Sequence, residues 1–343
     1  MVEQCCDIAI LGGGPAGAAT AIALARRGLL AVLCENTLVT PARFGEMLPA
    51  SAGLLLQRLG LWDAFVAQEH LVSPGTIVSW GSEELFEKDF LFSAYGCGWH
   101  LDRARFGELL LLEAEKAGVN VLRGAGMAEL QRWRARFVVD ATGRRALIAR
   151  NYQARRMTAD HLTAFGCLYP ESATQDRRML VESVENGWWY LVLLPQNRPL
   201  AVYLTIMGEV PRSGGMLDKW WDAQIERTRH IRHRVKGFHG AMRVASAGST
   251  CLERVATEHW LAVGDAASTY DPLSAQGISK ALEGGLRAAE AIGFYVTSGG
   301  DSRPLRNYEQ WVFEQYAEHL QTRRHFYNAE TRWADSPFWA SRR

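Results

Sequence analysis

The sequence has little lysine. Five of its 38 basic residues are Lys (Lys88, Lys116, Lys219, Lys236 and Lys280) and arginine supplies the rest. Chemistry that depends on an ε-ammonium therefore has few candidates. Net charge is also missing. The 38 Lys and Arg against 37 Asp and Glu leave +1, which gives no electrostatic case for nucleic acid or an anionic membrane as partner. The six cysteines, at 5, 6, 34, 97, 167 and 251, include no C-x-x-C and no metal-ligand spacing. They are expected to be reduced structural thiols, with no metal and a reducing, cytoplasmic setting. No apolar run reaches the length of a membrane span. The N-terminus carries Glu3 and Asp7 and does not read as a signal peptide. There is no internal repeat and no low-complexity linker. What remains is a chain of 343 residues, 48% apolar, with ample material for two interleaved or sequential domains. Its twelve tryptophans either line an aromatic-binding cavity or pack the core.

The chain is organised around residues 7–35. Ile8 to Leu11 form a short apolar run suited to a buried parallel strand. Gly12, Gly14 and Gly17 follow as G-x-G-x-x-G, with Pro15 and Ala16 between them. A helical stretch from Ala18 to Arg27 ends at Gly28, and a second apolar run, Leu29 to Leu33, leads to Glu35. Gly12 permits the tight turn, Gly14 the approach of a pyrophosphate, and Gly17 close helix–strand packing. The helix N-terminus supplies amide donors and positive dipole, and Glu35 is placed to accept from ribose hydroxyls. An acid here favours an unphosphorylated ribose, so FAD or NAD. No second G-x-G-x-x-G exists to hold another dinucleotide.

Farther along, 51–60 and 104–117 read as helices, and Val78 to Ser82, Phe90 to Tyr95 and Val119 to Leu122 as strands. A β-hairpin is expected between Leu122 and Phe137, although few residues are available for one, and 209–216 is similarly abrupt. Phe137 to Asp140 is a strand entering a polar turn. The runs Thr163–Leu168, Met179–Val184, Trp188–Leu194 and Leu200–Met207 follow without intervening helices, which predicts an antiparallel sheet apart from the Rossmann layer. Residues 216–235 and 274–297 read as helices, and 304–324 as an amphipathic one.

A second signal separates FAD from NAD. Ala262-Val263-Gly264-Asp265-Ala266-Ala267 is a strand ending in Gly-Asp, and Asp271-Pro272-Leu273-Ser274-Ala275-Gln276-Gly277 leads into a helix. Together with the glycine turn this resembles the single-Rossmann FAD hydroxylases typified by p-hydroxybenzoate hydroxylase. The resemblance implies that Asp265, after Gly264, holds the ribityl chain and that Pro272 and Gly277 lie beside the isoalloxazine. It also implies that Asp140-Ala-Thr-Gly143-Arg144 is the family's middle motif, and that Arg103, with Arg43, serves the FAD diphosphate or ribose. The implied fold class is α/β: a glutathione-reductase-type, Rossmann-like FAD domain (1–75, 96–150, 250–300) interleaved with an antiparallel substrate domain (76–95, 151–249), then a C-terminal helical segment (301–343).

Narrower features are Gly45-Glu46-x-Leu48-Pro49, Trp80-Gly81-Ser82, Gly98 to Phe106 and the tail Glu330 to Trp339. These look like the halogenase-related monooxygenases, a group that includes the flavoprotein maturases of tryptophylquinone enzymes (lysine oxidase, glycine oxidase, quinohemoprotein amine dehydrogenase). That likeness implies hydroxylation of an electron-rich aromatic, a tryptophan of a precursor polypeptide, through a flavin C4a-hydroperoxide. O2 would be the cosubstrate and NAD(P)H or another reductant the electron donor. Glu46, His100 and Tyr190 are the candidate acid–base residues, and Trp80, Trp188 and Trp189 the candidate substrate contacts. Flavin-dependent tryptophan halogenases carry a lysine beyond the Gly-Glu element and W-x-W-x-I-P. Here the nearest later lysine is Lys88, and the comparable stretch is Trp188-Trp189-Tyr190-Leu191-Val192-Leu193-Leu194-Pro195. Other readings are a halogenase, a reductase of the geranylgeranyl-reductase type, and a non-catalytic maturation partner docking through the Arg- and Trp-rich stretches 219–234 and 321–343.

Overall fold

The structure, a computed structural model, describes residues 4–38, 44, 46–90, 93–211, 214–237 and 239–343. Arg43 and Gly45, and much of 209–216, lie outside what can be said of side chains.

A five-stranded parallel sheet has the order Trp260–Ala262, Trp133–Asp140, Gln4–Leu11, Ala31–Glu35, Asn120–Arg123. Its central strand ends in the apolar run Ile8–Leu11, buried because both faces are covered there. Register places Leu11 opposite Asp140 and Cys34, and Asp140 opposite Ala262. The turns that follow, at Gly12, Gly143 and Gly264, therefore come together at the carboxyl ends of neighbouring strands. The helices Pro15–Ala25, Arg103–Lys116 and Gly277–Thr297 cover this sheet. The first and last of these come very close. A Cβ on Gly285 would stand 2.7 Å from the Ala19 Cβ and 2.8 Å from the Ala16 carbonyl oxygen.

The second sheet has seven strands, ordered Arg243–Ser246, Thr163–Leu168, Arg198–Thr205, Gly187–Leu194, Met179–Val184, Gly75–Ser79, Phe86–Asp89. It is antiparallel except where Gly75–Ser79 runs parallel to Met179–Val184. Strand alternation sorts its side chains onto two faces. Trp188, Tyr190, Val192, Val202 and Leu204 pack on one side under Tyr327, Phe338 and Trp339 from the C-terminal segment. Trp189, Leu191, Ala201 and Tyr203 pack on the other under Trp221 of the helix Gly214–Glu226. A three-stranded sheet, Met47–Leu48 with Gly98–His100 and Leu71–Ser73, lies beside the Trp188 strand.

Some sequence expectations fail on local detail. The strand expected at Phe90 to Tyr95 falls at Phe86–Asp89; residues 91 and 92 lie outside the described set. The hairpin expected between Leu122 and Phe137 is instead a short helix, Met127–Leu130, in the connection between two strands of the parallel sheet. The helix expected over 216–235 stops at Glu226. From there the carboxylate of buried Glu182 takes the backbone N–H groups of Arg229, His230 and Ile231 and turns the chain. The six cysteines form no disulfide.

The glycine turn depends on backbone contact. Gly12 has φ +109°, and a Cβ at Gly17 would sit 1.9 Å from the Gly12 carbonyl oxygen and 2.9 Å from the Ala141 Cβ. Gly17→Ala is expected to cost about 1–3 kcal/mol through overpacking, read as a fall in unfolding free energy in urea.

Candidate active site

At the glycine turn, Gly14 is the N-cap of the helix Pro15–Ala25, and Pro15 occupies its first turn, where its missing N–H is harmless. Glu35 is 9% exposed; its carboxylate accepts from the Gly13 N–H at 2.7 Å and from the Thr37 N–H and hydroxyl at 2.9 and 2.7 Å. It fixes the turn while keeping lone pairs for a ribose.

Asp140, which opens the middle motif, has its carboxylate taken up by the protein itself. It is fully buried, and its carboxylate is taken by the Thr142 N–H and hydroxyl and the N–H groups of Ile148 and Ala149, at 2.6–3.0 Å. It clips the turn and the following helix. Sequence reasoning placed it by the resemblance alone; the nearby open position is Gly143, with φ +64° and nothing within 4 Å of where its Cβ would be. Gly277 is likewise open.

Asp265 follows Gly264, whose φ is +63° and whose Cβ would meet the Ala16 Cβ at 2.6 Å. Its carboxylate is 43% exposed and lies 3.2 Å from the Lys280 Nζ. Burial alone would raise this carboxyl, yet Lys280, Arg144 and Arg103 together hold it below the usual carboxylate range. Its contribution to stability is thus present above the ordinary Asp value and is lost as pH falls through the depressed one. Lys280 also donates to the Ser268 carbonyl and lies 4.2 Å above the Tyr270 ring. Arg156 donates to the Ala266 carbonyl of the same loop and to the Thr250 hydroxyl of the strand Thr250–Leu252, and Arg144 to the Gly248 carbonyl. This clustering gives the Asp265 loop a surplus of positive charge, matching a pyrophosphate. The hydroxyls of Ser274 and Ser279, flanking Gly277, are buried without a protein partner. Open glycine positions, surplus cations and unsatisfied hydroxyls fit FAD. Lys280 and Arg156 were missed in the sequence, and Arg144 was read only as the end of the middle motif; the one available signal was that Lys280 is among only five lysines and lies in the first turn after Gly277.

The candidate acid–base residues meet where the three-stranded sheet abuts the Trp188 strand. Glu46 is 4% exposed, and the Tyr190 hydroxyl lies 3.5 Å from its carboxylate. His100 is fully buried, and burial pushes its imidazole down to about 4 despite a bond to the Leu193 carbonyl. A carbonyl only accepts, so Nδ1 carries the proton at 2.9 Å and Nε2 is an acceptor, here without a partner. His100 is therefore a neutral acceptor at pH 7 and a poor proton donor.

The tryptophans separate. Trp188 donates to the Tyr327 hydroxyl at 2.9 Å and faces Tyr190, with ring centres 6.3 Å apart. Trp80 donates to the Phe326 carbonyl and meets Trp188 and Trp339 edge-on at 6.1 and 5.2 Å. Trp189 points through the opposite face, stacked on Tyr203 at 4.6 Å and edge-on to Trp221. It cannot share a pocket with Trp188 and is core. Pro272 opens a short turn whose Leu273 packs against the Trp188 face, so the loop at Asp265–Gly277 and the Trp188–Tyr190 wall adjoin.

A dinucleotide turn and a Gly-Asp loop facing a β-sheet wall of aromatics define an FAD-dependent oxidoreductase. The chain belongs to the tryptophan halogenase family, whose model matches residues 82–343. It is 28% identical to LodB of Marinomonas mediterranea, named as an FAD-dependent oxidoreductase, over 98% of this chain and 96% of LodB. It is 26% identical to the tryptophan 2-halogenase of Chondromyces crocatus, over 90% of this chain and 65% of that protein. Among solved structures, the myxobacterial chondrochloren halogenase CndH matches with TM-score 0.87 at 23% identity, covering 99% of this chain and 86% of CndH. The peptidyl tryptophan dihydroxylase QhpG matches with TM-score 0.77 at 23% identity, covering 98% and 78%. Among the described residues no helix is long and apolar enough to cross a membrane, and no His, Cys, Asp or Glu cluster could hold a metal ion.

Lys280→Met is expected to weaken FAD binding by about tenfold or more, the size of one lost charge-assisted hydrogen bond (~1.5–3 kcal/mol). Flavin fluorescence during titration of the apoprotein measures it.

Proposed function

We propose that this protein is an FAD-dependent monooxygenase that hydroxylates an electron-rich aromatic, and that the aromatic is a tryptophan side chain of a precursor polypeptide in tryptophylquinone biogenesis. The carrying observation is the disposition of lysine. Lys88, Lys116, Lys219 and Lys236 are exposed, and Lys280, with its side chain 9% exposed, is held by Asp265 and the Ser268 carbonyl. No buried lysine is left for the Glu46–Tyr190 region, where the halogenase reading needs an ε-ammonium to handle hypohalous acid. The likeness to LodB along nearly the whole of both chains, and the fold shared with a peptidyl tryptophan dihydroxylase, support the same reading.

In this reading Gly12, Gly14, Gly17 and the amides of the first helix hold the pyrophosphate, with Pro15 and Ala16 shaping the turn. Glu35 takes the adenosine ribose. Arg103, Arg144 and Lys280 balance the phosphate charge, with Arg43 assigned to the same end. Asp265 takes the ribityl hydroxyls, and Pro272, Gly277, Ser274 and Ser279 border the ring. Bound FAD, reduced by NAD(P)H or another donor, supplies an electrophilic oxygen derived from O2. Indole is itself nucleophilic, so the protein's tasks are to hold the ring, exclude water and move one proton. Trp80, Trp188 and Tyr190 form the apolar wall. Glu46, against the Tyr190 hydroxyl, accepts the proton released on rearomatisation. His100 offers an acceptor to an N–H group. The setting is cytoplasmic.

Incubation with reductant, O2, halide and a tryptophan-bearing precursor polypeptide is expected to add one or two oxygen atoms to that tryptophan and no halogen, by mass spectrometry of the digested peptide. A halogenated product, or an unmodified one beside a hydroxylated free aromatic, would overturn the respective part of the proposal. Glu46→Gln is expected to slow hydroxylation by roughly 10²–10⁴-fold, the usual range for a positioned acid–base group, with FAD content unchanged. An undiminished rate in single-turnover chemical quench would remove Glu46 from the mechanism.

A further inference from the structure

A buried chain of hydrogen bonds joins the Pro272 turn to the aromatic wall. Asp271 is fully buried. One carboxylate oxygen accepts from the Leu273 N–H at 3.0 Å and sets the turn Pro272–Ser274. The other accepts from the Tyr327 hydroxyl at 2.8 Å, and that hydroxyl accepts from the Trp188 indole N–H at 2.9 Å. Tyr327 is 0% and Trp188 1% exposed. The Asp271 N–H is bound in turn by the Ser249 hydroxyl and the His319 Nε2, at 3.1 and 3.2 Å. One carboxylate thus ties the cofactor-side turn, the long C-terminal helix Arg303–Ala329 and the strand Gly187–Leu194.

The direction of these bonds is forced. An indole N–H can only donate, so the Tyr327 oxygen must accept from it and the phenol proton must go to Asp271. That arrangement suits an ionised carboxylate. Protonating Asp271 weakens it as an acceptor and leaves the phenol proton poorly matched inside a dry site, where an unmet bond is costly. Burial drives the Asp271 carboxyl up to about 6, against the opposing pull of Leu273 and Tyr327. The charged groups facing it are Asp160, which raises it, and Arg323, which lowers it, and these two pair with each other. His319 is held neutral, pushed down to about 3 by burial, and the Arg342 guanidinium lies 5.9 Å from the Tyr327 ring centre.

We propose that Asp271 and Tyr327 are positioning residues that lock the Trp188 wall to the turn bordering the flavin, so that protonation of Asp271 loosens both together. The inference rests on the reading that FAD lies against the Pro272 turn.

The test uses the full FAD-bound chain labelled with 15N-tryptophan. Its Trp188 indole N–H resonance is identified by its loss in Trp188→Phe. In the native protein this resonance and the flavin visible band are expected to titrate together with a midpoint near 6. In Asp271→Asn neither titrates. In Tyr327→Phe the indole signal moves to an unbonded position and stops titrating. The flavin midpoint rises in that variant, because a bond that had lowered the Asp271 carboxyl is gone. A native Trp188 signal flat across this range overturns the proposal by itself, whether or not the variants fold. So does titration that persists in Asp271→Asn. A flavin band that stays flat while Trp188 titrates overturns the link to the cofactor. A chain that binds no FAD is a separate failure, visible in flavin stoichiometry, and refutes the underlying reading.

Discussion

The close approach of backbones at four glycines is the condition on which the remaining structure depends. Gly12, Gly17, Gly264 and Gly285 each stand where a Cβ would fall within 3 Å of another atom: the Ala141 oxygen, the Gly12 oxygen, the Ala16 Cβ and the Ala19 Cβ respectively. These contacts let the helix Pro15–Ala25 sit down on its own turn and let the helix Gly277–Thr297 sit down on that helix. Because the second helix begins at Gly277, its position against the first decides where the Asp265 loop and the Pro272 turn can be. A one-methyl expansion at this junction is thus transmitted to every candidate cofactor contact, since close-packed interiors move as units rather than deform smoothly.

The buried carboxylates then sort by what surrounds them. Asp140 is met by backbone N–H groups and a hydroxyl, and Glu182 by N–H groups of the chain it turns. Glu330 is met by the Gly81 N–H, the Ser183 hydroxyl and Arg332, which hold it below the usual range against its burial. Each is met by three or more donors, the pattern of structural groups. Asp265 differs: it is partly exposed and has more cationic neighbours than it can neutralise. An excess of like charge held in place by folding is stable only with a counter-charge, and that is the stronger argument for a phosphate ligand than the acid alone. Asp271 is the intermediate case, satisfied in one protonation state and strained in the other.

What was legible in the sequence was whatever is decided locally. The glycine spacing, the acid at Glu35, and the strands Thr163–Leu168 and Met179–Val184 depend on steric rules and on short runs bounded by turn residues, and the structure has them. Neighbouring residues of a strand, such as Trp188 and Trp189, must face opposite ways. That rule does not say which face is covered by Trp221 and which adjoins the Pro272 turn, because that depends on elements far along the chain. Lys280 was illegible for the same reason: its partners, Asp265 and the Ser268 carbonyl, approach only when the loop folds back over the helix. The donors that occupy Asp140 were illegible too, because the motif alone does not show the Ile148 and Ala149 N–H groups returning to it.

The C-terminal segment shows why the aromatic wall is not a property of the sheet alone. The Trp188 face would be open apolar surface without Tyr327, Phe338 and Trp339, which bury it. That cover is fastened by a charged staple. The Glu330 carboxylate, 0% exposed, binds the Gly81 N–H next to Trp80 and the Ser183 hydroxyl on the neighbouring strand, while the Trp339 indole donates to the Val184 carbonyl. A buried carboxylate that loses its partners is far costlier than one never buried, so the segment is held in one register or not at all. The consequence for chemistry is definite. Trp80 and Trp188 take their hydrogen-bond partners, Phe326 and Tyr327, from the last turn of the long C-terminal helix, so the shape of the proposed substrate wall is set by residues more than a hundred positions away from it in sequence.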